Sequence, residues 1–500
     1  MIALLSAALL WALPPAVAAS PTERALEASF GSTAPTFGAE AGQPAPSEPW
    51  WRDLGDPALS SVLDEAMGSS PTVRAAWERV TVARTGAWQQ GSVLLPSAAL
   101  AAGFTRNSTE PLVQQITNNL SGSSPLSEAE LTDQLTDRFG DSYDNANWQL
   151  QGAWTVDLFG VNTTAWLASR WDAAAMDGNR AAQAMAVATS VGAAWLDLTA
   201  ANERLTYVSE QVRVSRELTE LVDLRYQGGE ATALDLLQQR QQQANIEATL
   251  PAAKAAVERT AWRLASLLGR DPTRASAADF AVPARLPDAP TAPGLGAPAD
   301  LLDRRPDLVA SMASARAAGL RKASGWLGLA PTLQLSGYTG DQGQLLGADE
   351  TEWDVVGNWQ VGVQASVPIF NGGRKIAAAR GASASARAAG YDLQQALLSA
   401  TVEVQDARRV ITQRDEELAA RQAQVEAARL SFDESRIQYL GGLTPYVSVQ
   451  SALNTLQMAE LGLIQARRDR LAAHITLHNA LGAPWALDLD RPAANATGGL

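Results

Sequence analysis

Two histidines one helical turn apart are the first side chains in these 500 residues that could do chemistry. The run HITLH puts His474 and His478 four residues apart, the spacing at which two imidazoles on one helix face can share a zinc ion. No third ligand is evident from the sequence, and a packed pair on a helix is the plainer reading, so no metal and no cofactor is expected. With zero cysteines, thiol nucleophiles and disulfides are excluded as well. No glycine-rich phosphate loop, nucleophile elbow or adjacent acid–base constellation occurs, and the chain reads as a non-enzyme. A formal charge of −14, with no run of Lys or Arg to offset it, excludes nucleic acid as a partner.

The residues that remain informative are arranged by period rather than by reactivity. In NWQLQGAWTVDLFG, from Asn147, the alternate residues Trp148, Leu150, Gly152, Trp154, Val156 and Leu158 share one face of an extended strand. Gln149, Gln151, Ala153, Thr155 and Asp157 share the other face. The pattern returns at an offset of 211 in NWQVGVQASVPIFNGG, from Asn358, where Trp359, Val361, Val363, Ala365, Val367 and Ile369 face one way and Gln360, Gly362, Gln364, Ser366 and Pro368 the other. Weaker alternation at 98–106 and 332–340 predicts a partner strand for each.

The duplication extends through the chain. RYQGGEATALDLLQQR, from Arg225, matches QYLGGLTPYVSVQSAL, from Gln438, at an offset of 213, while Pro71 and Pro96 move by 235 onto Pro306 and Pro331. Each half therefore reads helix, strand, loop, strand, long helix, glycine turn, helix. Repeat 1 covers 56–270, with strands near 98–106 and 147–159 and helices 161–227 and 231–268; repeat 2 covers 301–484, with strands near 332–340 and 358–370 and helices 374–440 and 445–481. The falling offset makes the first loop, 106–146, some two dozen residues longer than the second, and it holds Asn107, Ser121, Asp133, Asp137, Asp141 and Asp144. Proline-rich residues 271–300 read as a connector, 19–55 as an extended N-terminal segment and 485–500 as a tail. Residues 1–18 read as a signal peptide, with an apolar stretch from Ile2 to Leu13 and Ala16-Val17-Ala18 as the cleavage site.

Some sixty residues of continuous helix reach roughly 90–100 Å, and the second long helix carries a seven-residue beat of Val404, Ile411, Leu418, Val425, Phe432 and Tyr439. The equivalent positions in the first are Val191, Leu198, Leu205, Val212, Thr219 and Tyr226. After the leader no run of about 18 apolar residues appears, so a membrane crossing would be made by strands. The strands are long enough, since about 9–11 residues cross a bilayer when tilted. Four strands cannot enclose a lumen, and open edges are not tolerated in lipid, so the chain must borrow strands: three copies give twelve. The expected fold is a membrane β-barrel continued by a long α-helical coiled-coil barrel. Its tryptophan face meets lipid, with Trp148 and Trp359 in an interfacial girdle, and its glutamine face lines water.

PWWRDLGDPALSSVLDEAM, WTVDLFG, LLDRRPDLVASMASARAA, VPIFNGGR and HNALGAPW together resemble outer-membrane efflux channels of the TolC/OprM (NodT-like) family, from about Trp50 to Trp485. The resemblance implies a homotrimer in the bacterial outer membrane with its helical tunnel in the periplasm. It also implies a periplasmic adaptor (membrane-fusion) protein and an inner-membrane pump, commonly of the RND class. It places adaptor-contact tips at Gly229, Glu230 and Ala231 and at Gly442, Leu443 and Thr444, the second keeping the family pattern better. It places a periplasmic gate at Asp235 and Tyr439, with Ser448 and Ser451 where relatives carry an acidic ring and Thr444 where some carry a basic residue. The sequence departs from many relatives in having no lipid-bearing cysteine. The implied function is a passive exit duct for small molecules such as drugs; the same tube could serve type I protein secretion. A periplasmic coiled-coil scaffold or adaptor would explain the helices but not the strands.

Overall fold

In a computed structural model the described residues are 48–120, 126–140, 142–345, 353–482 and 484–491. The expected leader, Ser121 and Asp141 lie outside them, as do most of the N-terminal segment and of the tail. In chain order the elements are α1 (Trp50–Asp53), α2 (Pro57–Ser69), α3 (Pro71–Ser92), β1 (Ser97–Ser108), α4 (Glu110–Leu120), α5 (Glu128–Phe139), β2 (Ser142–Val156), α6 (Val161–Gln227) and α7 (Ala233–Leu268). The second half continues with α8 (Leu301–Arg304), α9 (Pro306–Leu327), β3 (Thr332–Leu345), β4 (Asp354–Ser366), α10 (Arg374–Leu440), α11 (Tyr446–Ala480) and α12 (Pro484–Leu487). Two compact units result, and each draws on both repeats: one comprises Thr85–Arg170 and Ala317–Ala386, the other the remaining segments.

The first unit holds the sheet. Its four strands are antiparallel throughout, in the order β1-β2-β3-β4. The register sets Leu100, Leu150, Thr339 and Trp359 on one rung, and Ala98, Gly152, Gly337 and Val361 on the next rung of the same face. All four strands therefore contribute to one apolar surface. β2 stops at Val156, earlier than the alternation predicts, because Asp157 turns back to cap the following helix: its carboxylate accepts from the Asn162 and Thr163 amides at 3.2 and 2.7 Å. β4 stops at Ser366, two residues before Pro368, which has no N–H for a ladder. The long first loop is not irregular. Ser127 and Glu130 form a reciprocal capping box that starts α5, and α4 and α5 pack through Val113, Thr117 and Leu131.

The second unit is helical. Around α2 the Asp56 carboxylate does two jobs, accepting from the Ala58 and Leu59 amides at 2.9 and 3.1 Å and from the Trp195 indole of α6 at 3.0 Å. Trp50, Leu63, Trp195, Leu264 and Leu268 form the core beneath it. The expected extended N-terminal segment thus ends in a helix, α1, whose two tryptophans are buried. The tail likewise begins as a helix, α12: Arg180 donates to the Ala486 and Leu487 carbonyls at 3.1 and 3.0 Å, and Trp485 packs edge-on against Trp51. The connector holds two short 3-10 turns, Ala277–Phe280 and Pro298–Asp300, with Phe280, Leu286 and Leu295 as apolar anchors. In LLDRRPDLVAS, Arg305 is buried and braced by Asp307 at 2.8 Å, Glu403 at 2.7 Å and the Ala480 carbonyl at 3.1 Å. That motif is structural.

In α10 the seven-residue beat is buried or half-buried along its length. In α6 it holds through Val212, then the buried stripe moves onto Ser215, Leu218 and Val222, leaving Tyr226 exposed. A straight helix turns in 3.6 residues rather than 3.5, so an apolar stripe drifts by about 20° per heptad. α6 also contains an 18-residue stretch apolar enough by composition to cross a membrane, though not an unbroken apolar run, and 56% of it is buried inside the protein. Alanines such as Ala184, Ala188 and Ala194 supply much of that apolarity, as in a core helix rather than a span.

Candidate functional site

The sheet presents two chemically different faces. On one, Trp148, Leu150, Trp154 and Val156 of β2 share rungs with Asp341, Thr339, Leu335 and Leu333 of β3, and Trp359, Val361 and Val363 of β4 continue the surface. Trp359, Val361 and Val363 are 78, 74 and 67% exposed, too open for a soluble core. The other face is a hollow lined by Ser97, Gln149, Gln151, Ser336, Tyr338 and Gln360, all uncharged and polar except the tyrosine ring. β1 and β4 each have one paired side only.

Polar markers close one end of the apolar band. The Trp148 indole donates to Asp341 Oδ2 at 3.1 Å, and one rung pair beyond, the Arg106 guanidinium grips Asp144 through two bonds of 2.7 and 2.8 Å. From Trp148 to Val156, where β2 ends, is eight residues, about 27 Å along a strand and about 21 Å across a layer at 40° of tilt, most of the roughly 25 Å apolar band of outer-membrane barrels. Trp359 falls on the rung of Leu150, not of Trp148, so the two tryptophans expected in one girdle are offset by a rung. Asp341 and Arg106 carried no sequence signal of their role, since register across three strands is needed to see it.

The second candidate is the helix–turn–helix tip. α6 and α10 both end in the same hydrogen-bond pattern: Glu230 N–H to Arg225 C=O at 2.8 Å and Gly229 N–H to Tyr226 C=O at 3.1 Å, repeated as Leu443 to Gln438 at 2.9 Å and Gly442 to Tyr439 at 3.0 Å. Gly229 and Gly442 have φ of +75° and +72°, which an L side chain tolerates poorly. Leu443 projects from its turn, 82% exposed; Glu230 leans back to 3.5 Å from Arg225, Ala231 is half-buried and donates to the Arg225 carbonyl, and Thr444 is half-buried.

Asp235 caps its own helix. Its Oδ2 accepts from the Thr232 amide and hydroxyl at 2.9 and 2.8 Å. Tyr439 is buried beside it with no hydrogen-bond partner for its hydroxyl, and no bond joins the two among the described residues. Burial, and next the Asp235 charge, push the Tyr439 phenol above its ordinary pKa, against the pull of Arg225. Arg225 is the residue that fastens the tip: its Nη1 donates to the Tyr439 carbonyl at 2.8 Å and its guanidinium lies 4.8 Å over the Tyr439 ring. It stood in the quoted repeat, where its counterpart is Gln438, and that difference between copies was the available signal. Tyr446 packs edge-on against Tyr439 at 5.5 Å and bonds Gln239, which donates to the Ser215 carbonyl at 2.9 Å. Ser448 and Ser451 lie on the first turns of α11, half-buried and exposed, with no carboxylate at either position.

His474 and His478 are buried on α11 with ring centroids 4.5 Å apart. Burial, with smaller contributions from His478 and Arg470, pushes His474 down to about 3, and burial pushes His478 down to about 4, so both are neutral near pH 7. The fold adds what the sequence did not: Asp53 of α1, whose Oδ2 is 3.6 Å from His478 Nε2. More than four hundred residues of separation hid it.

The outer membrane efflux protein family profile matches residues 62–270 and 297–483, one segment in each repeat. The pyoverdine export outer membrane protein OpmQ of Pseudomonas aeruginosa is 27% identical over 442 residues, 88% of this chain and 88% of that protein. Among solved structures, the outer-membrane channel OprN superposes with a TM-score of 0.73 at 23% identity, covering 91% of this chain and 98% of that one. VceC of Vibrio cholerae gives 0.71 at 23% identity, covering 87% and 98%. An open amphipathic four-stranded sheet, paired long helices and a profile match across both repeats converge: the chain belongs to the outer membrane efflux protein family.

Proposed function

We propose that three copies of this chain close a twelve-stranded barrel and form the passive exit duct of a tripartite efflux assembly, supplied by an inner-membrane pump of the RND class through a periplasmic adaptor. The observation that carries the trimer is the sheet with two unpaired edges and a largely apolar outer face. In lipid each unpaired backbone group costs several kcal/mol, and joining β1 of one copy to β4 of the next removes both edges at once. A lumen lined by Gln149, Gln151, Ser336 and Gln360 is permissive toward small polar molecules, and the OpmQ relative's role in pyoverdine export supports a small-molecule cargo. The turns at Gly229–Ala231 and Gly442–Thr444 are the adaptor contacts in this reading, and Asp235, Tyr439, Ser448 and Ser451 line the gate.

The purified chain should require detergent, run as a trimer that resists SDS until heated, and conduct ions across a planar bilayer. A monodisperse single subunit in plain buffer, without conductance on reconstitution, overturns the proposal.

A further inference from the structure

We propose that Asp53, His474 and His478 form a binding site for a divalent transition metal of the zinc class, tying α1 to the last long helix. The two histidines are 1 and 4% exposed, yet both ring nitrogens of His474 and Nε2 of His478 have no hydrogen-bond partner. Buried polar atoms are rarely left so, and three in one pair of side chains call for an occupant. One ligand atom from each of the three residues lies within 4.8 Å of the others, whereas donors around a closed tetrahedral zinc stand roughly 3.3 Å apart. Closing that gap requires about an ångström of movement from each, and the Asp53 side chain, 44% exposed at the mouth, is free to swing.

The donor set selects the metal. Two imidazoles and one carboxylate suit zinc and its first-row neighbours, while calcium and magnesium demand oxygen. Charge around the site is also favourable. Glu48 lies close enough to act on Asp53 electrostatically, and Arg470, a cation acting on His474, is engaged by Asp415 and by the Pro290 carbonyl at 3.1 Å. With three protein donors the fourth position falls to water. The alternative, a packed neutral pair, leaves all three nitrogens without a hydrogen bond. Because Trp50 and Trp51 belong to the core that also holds Leu471 and Ile475 of α11, a metal here would fasten α1 to that core.

The test uses the full-length protein in detergent, purified without a polyhistidine tag and treated with chelator, then titrated with Co(II) and with Zn(II). The expected result is saturation at one ion per chain, with the visible ligand-field bands of four-coordinate Co(II) and a raised melting temperature in Zn(II). Asp53→Asn, on the accessible rim, should keep the trimer and weaken binding at least tenfold, and His478→Gln should abolish the bands. Absence of saturable binding in the unmodified protein, or Asp53→Asn binding as tightly as the unmodified chain, overturns the proposal; should His478→Gln fail to fold, Asp53→Asn decides.

Discussion

Placing arginine at three positions of β2 and β4 tests both the face and the depth of the sheet. With Trp148 on Asp341 marking one boundary and the end of β2 at Val156 the other, the midplane falls near Gly152, on the rung of Val361, with Val363 the next residue of the same face. Val363→Arg therefore puts a guanidinium near the centre of the band, where outer-membrane barrels lose about 2–4 kcal/mol per chain, roughly a 30- to 900-fold shift in the folding equilibrium. Val355 is on the same face but beyond the Trp148–Asp341 rung, so Val355→Arg should cost only about 0–1 kcal/mol. Gln151→Arg enters the water-lined hollow and should be tolerated. Urea titrations of folding into lipid vesicles, with heat-modifiable trimer as the readout, give the three values. Equal costs at Val363 and Gln151 would refute the face assignment; equal costs at Val363 and Val355 would refute the depth.

Three further outcomes follow from the helical unit. Asp235→Ala removes the carboxylate of a capping box and should loosen the start of α7 by about 1 kcal/mol, raising single-channel conductance; Arg225→Ala should raise it further, because it frees the Tyr439 carbonyl and ring together, and unchanged conductance in both would remove these residues from the gate. Tyr439 has a raised folded-state pKa, so its contribution to stability is complete below pH 10, its unfolded value, and is lost as pH rises through the folded value; Tyr439→Phe should blunt that alkaline loss and, by deleting a buried hydroxyl without a partner, should stabilise the protein at neutral pH by about 1 kcal/mol in chemical denaturation. Gly192→Ala would drive a methyl to 2.3 Å from the Trp50 ring, and the resulting overpacking should cost about 1–3 kcal/mol, read as a lower melting temperature with no change in conductance.

The sequence exposed whatever repeats. Period-two alternation predicted the apolar face of β2 and β4, and the seven-residue beat predicted the buried side of α10, because each is a local pattern summed over many residues. Pairing across the chain was hidden. Asp341 beneath Trp148, Arg225 against Tyr439 and Asp53 beside His478 each join residues about two hundred or more positions apart, and no local spacing encodes such a meeting. α4 and α5 were missed for a different reason. Loop 106–146 was read as an insertion because it interrupts the repeat offset, although Ser127-x-x-Glu130 before Leu131 is itself a helix-start signal.

The duplication has a consequence at the tip that can be measured directly. Tyr226 and Tyr439 are equivalent by the 213-residue shift, yet Tyr439 is 6% exposed and Tyr226 is 44% exposed. Arg225 of the first repeat reaches across to Tyr439 of the second within one chain, while its counterpart Gln438 donates to Glu434 of its own helix at 2.8 Å. In the proposed trimer the six hairpins would alternate around the axis, and Gln438 of one copy is expected to meet Tyr226 of the next. The zero-cysteine chain makes this clean to test. Tyr226→Cys combined with Gln438→Cys, treated with a short bismaleimide, should give covalent dimers and trimers on a denaturing gel. Arg225→Cys with Tyr439→Cys should crosslink within single chains only. If the first pair yields monomers alone while the trimer persists, the six-hairpin arrangement at the tip is wrong, and the exposure of Tyr226 requires another partner.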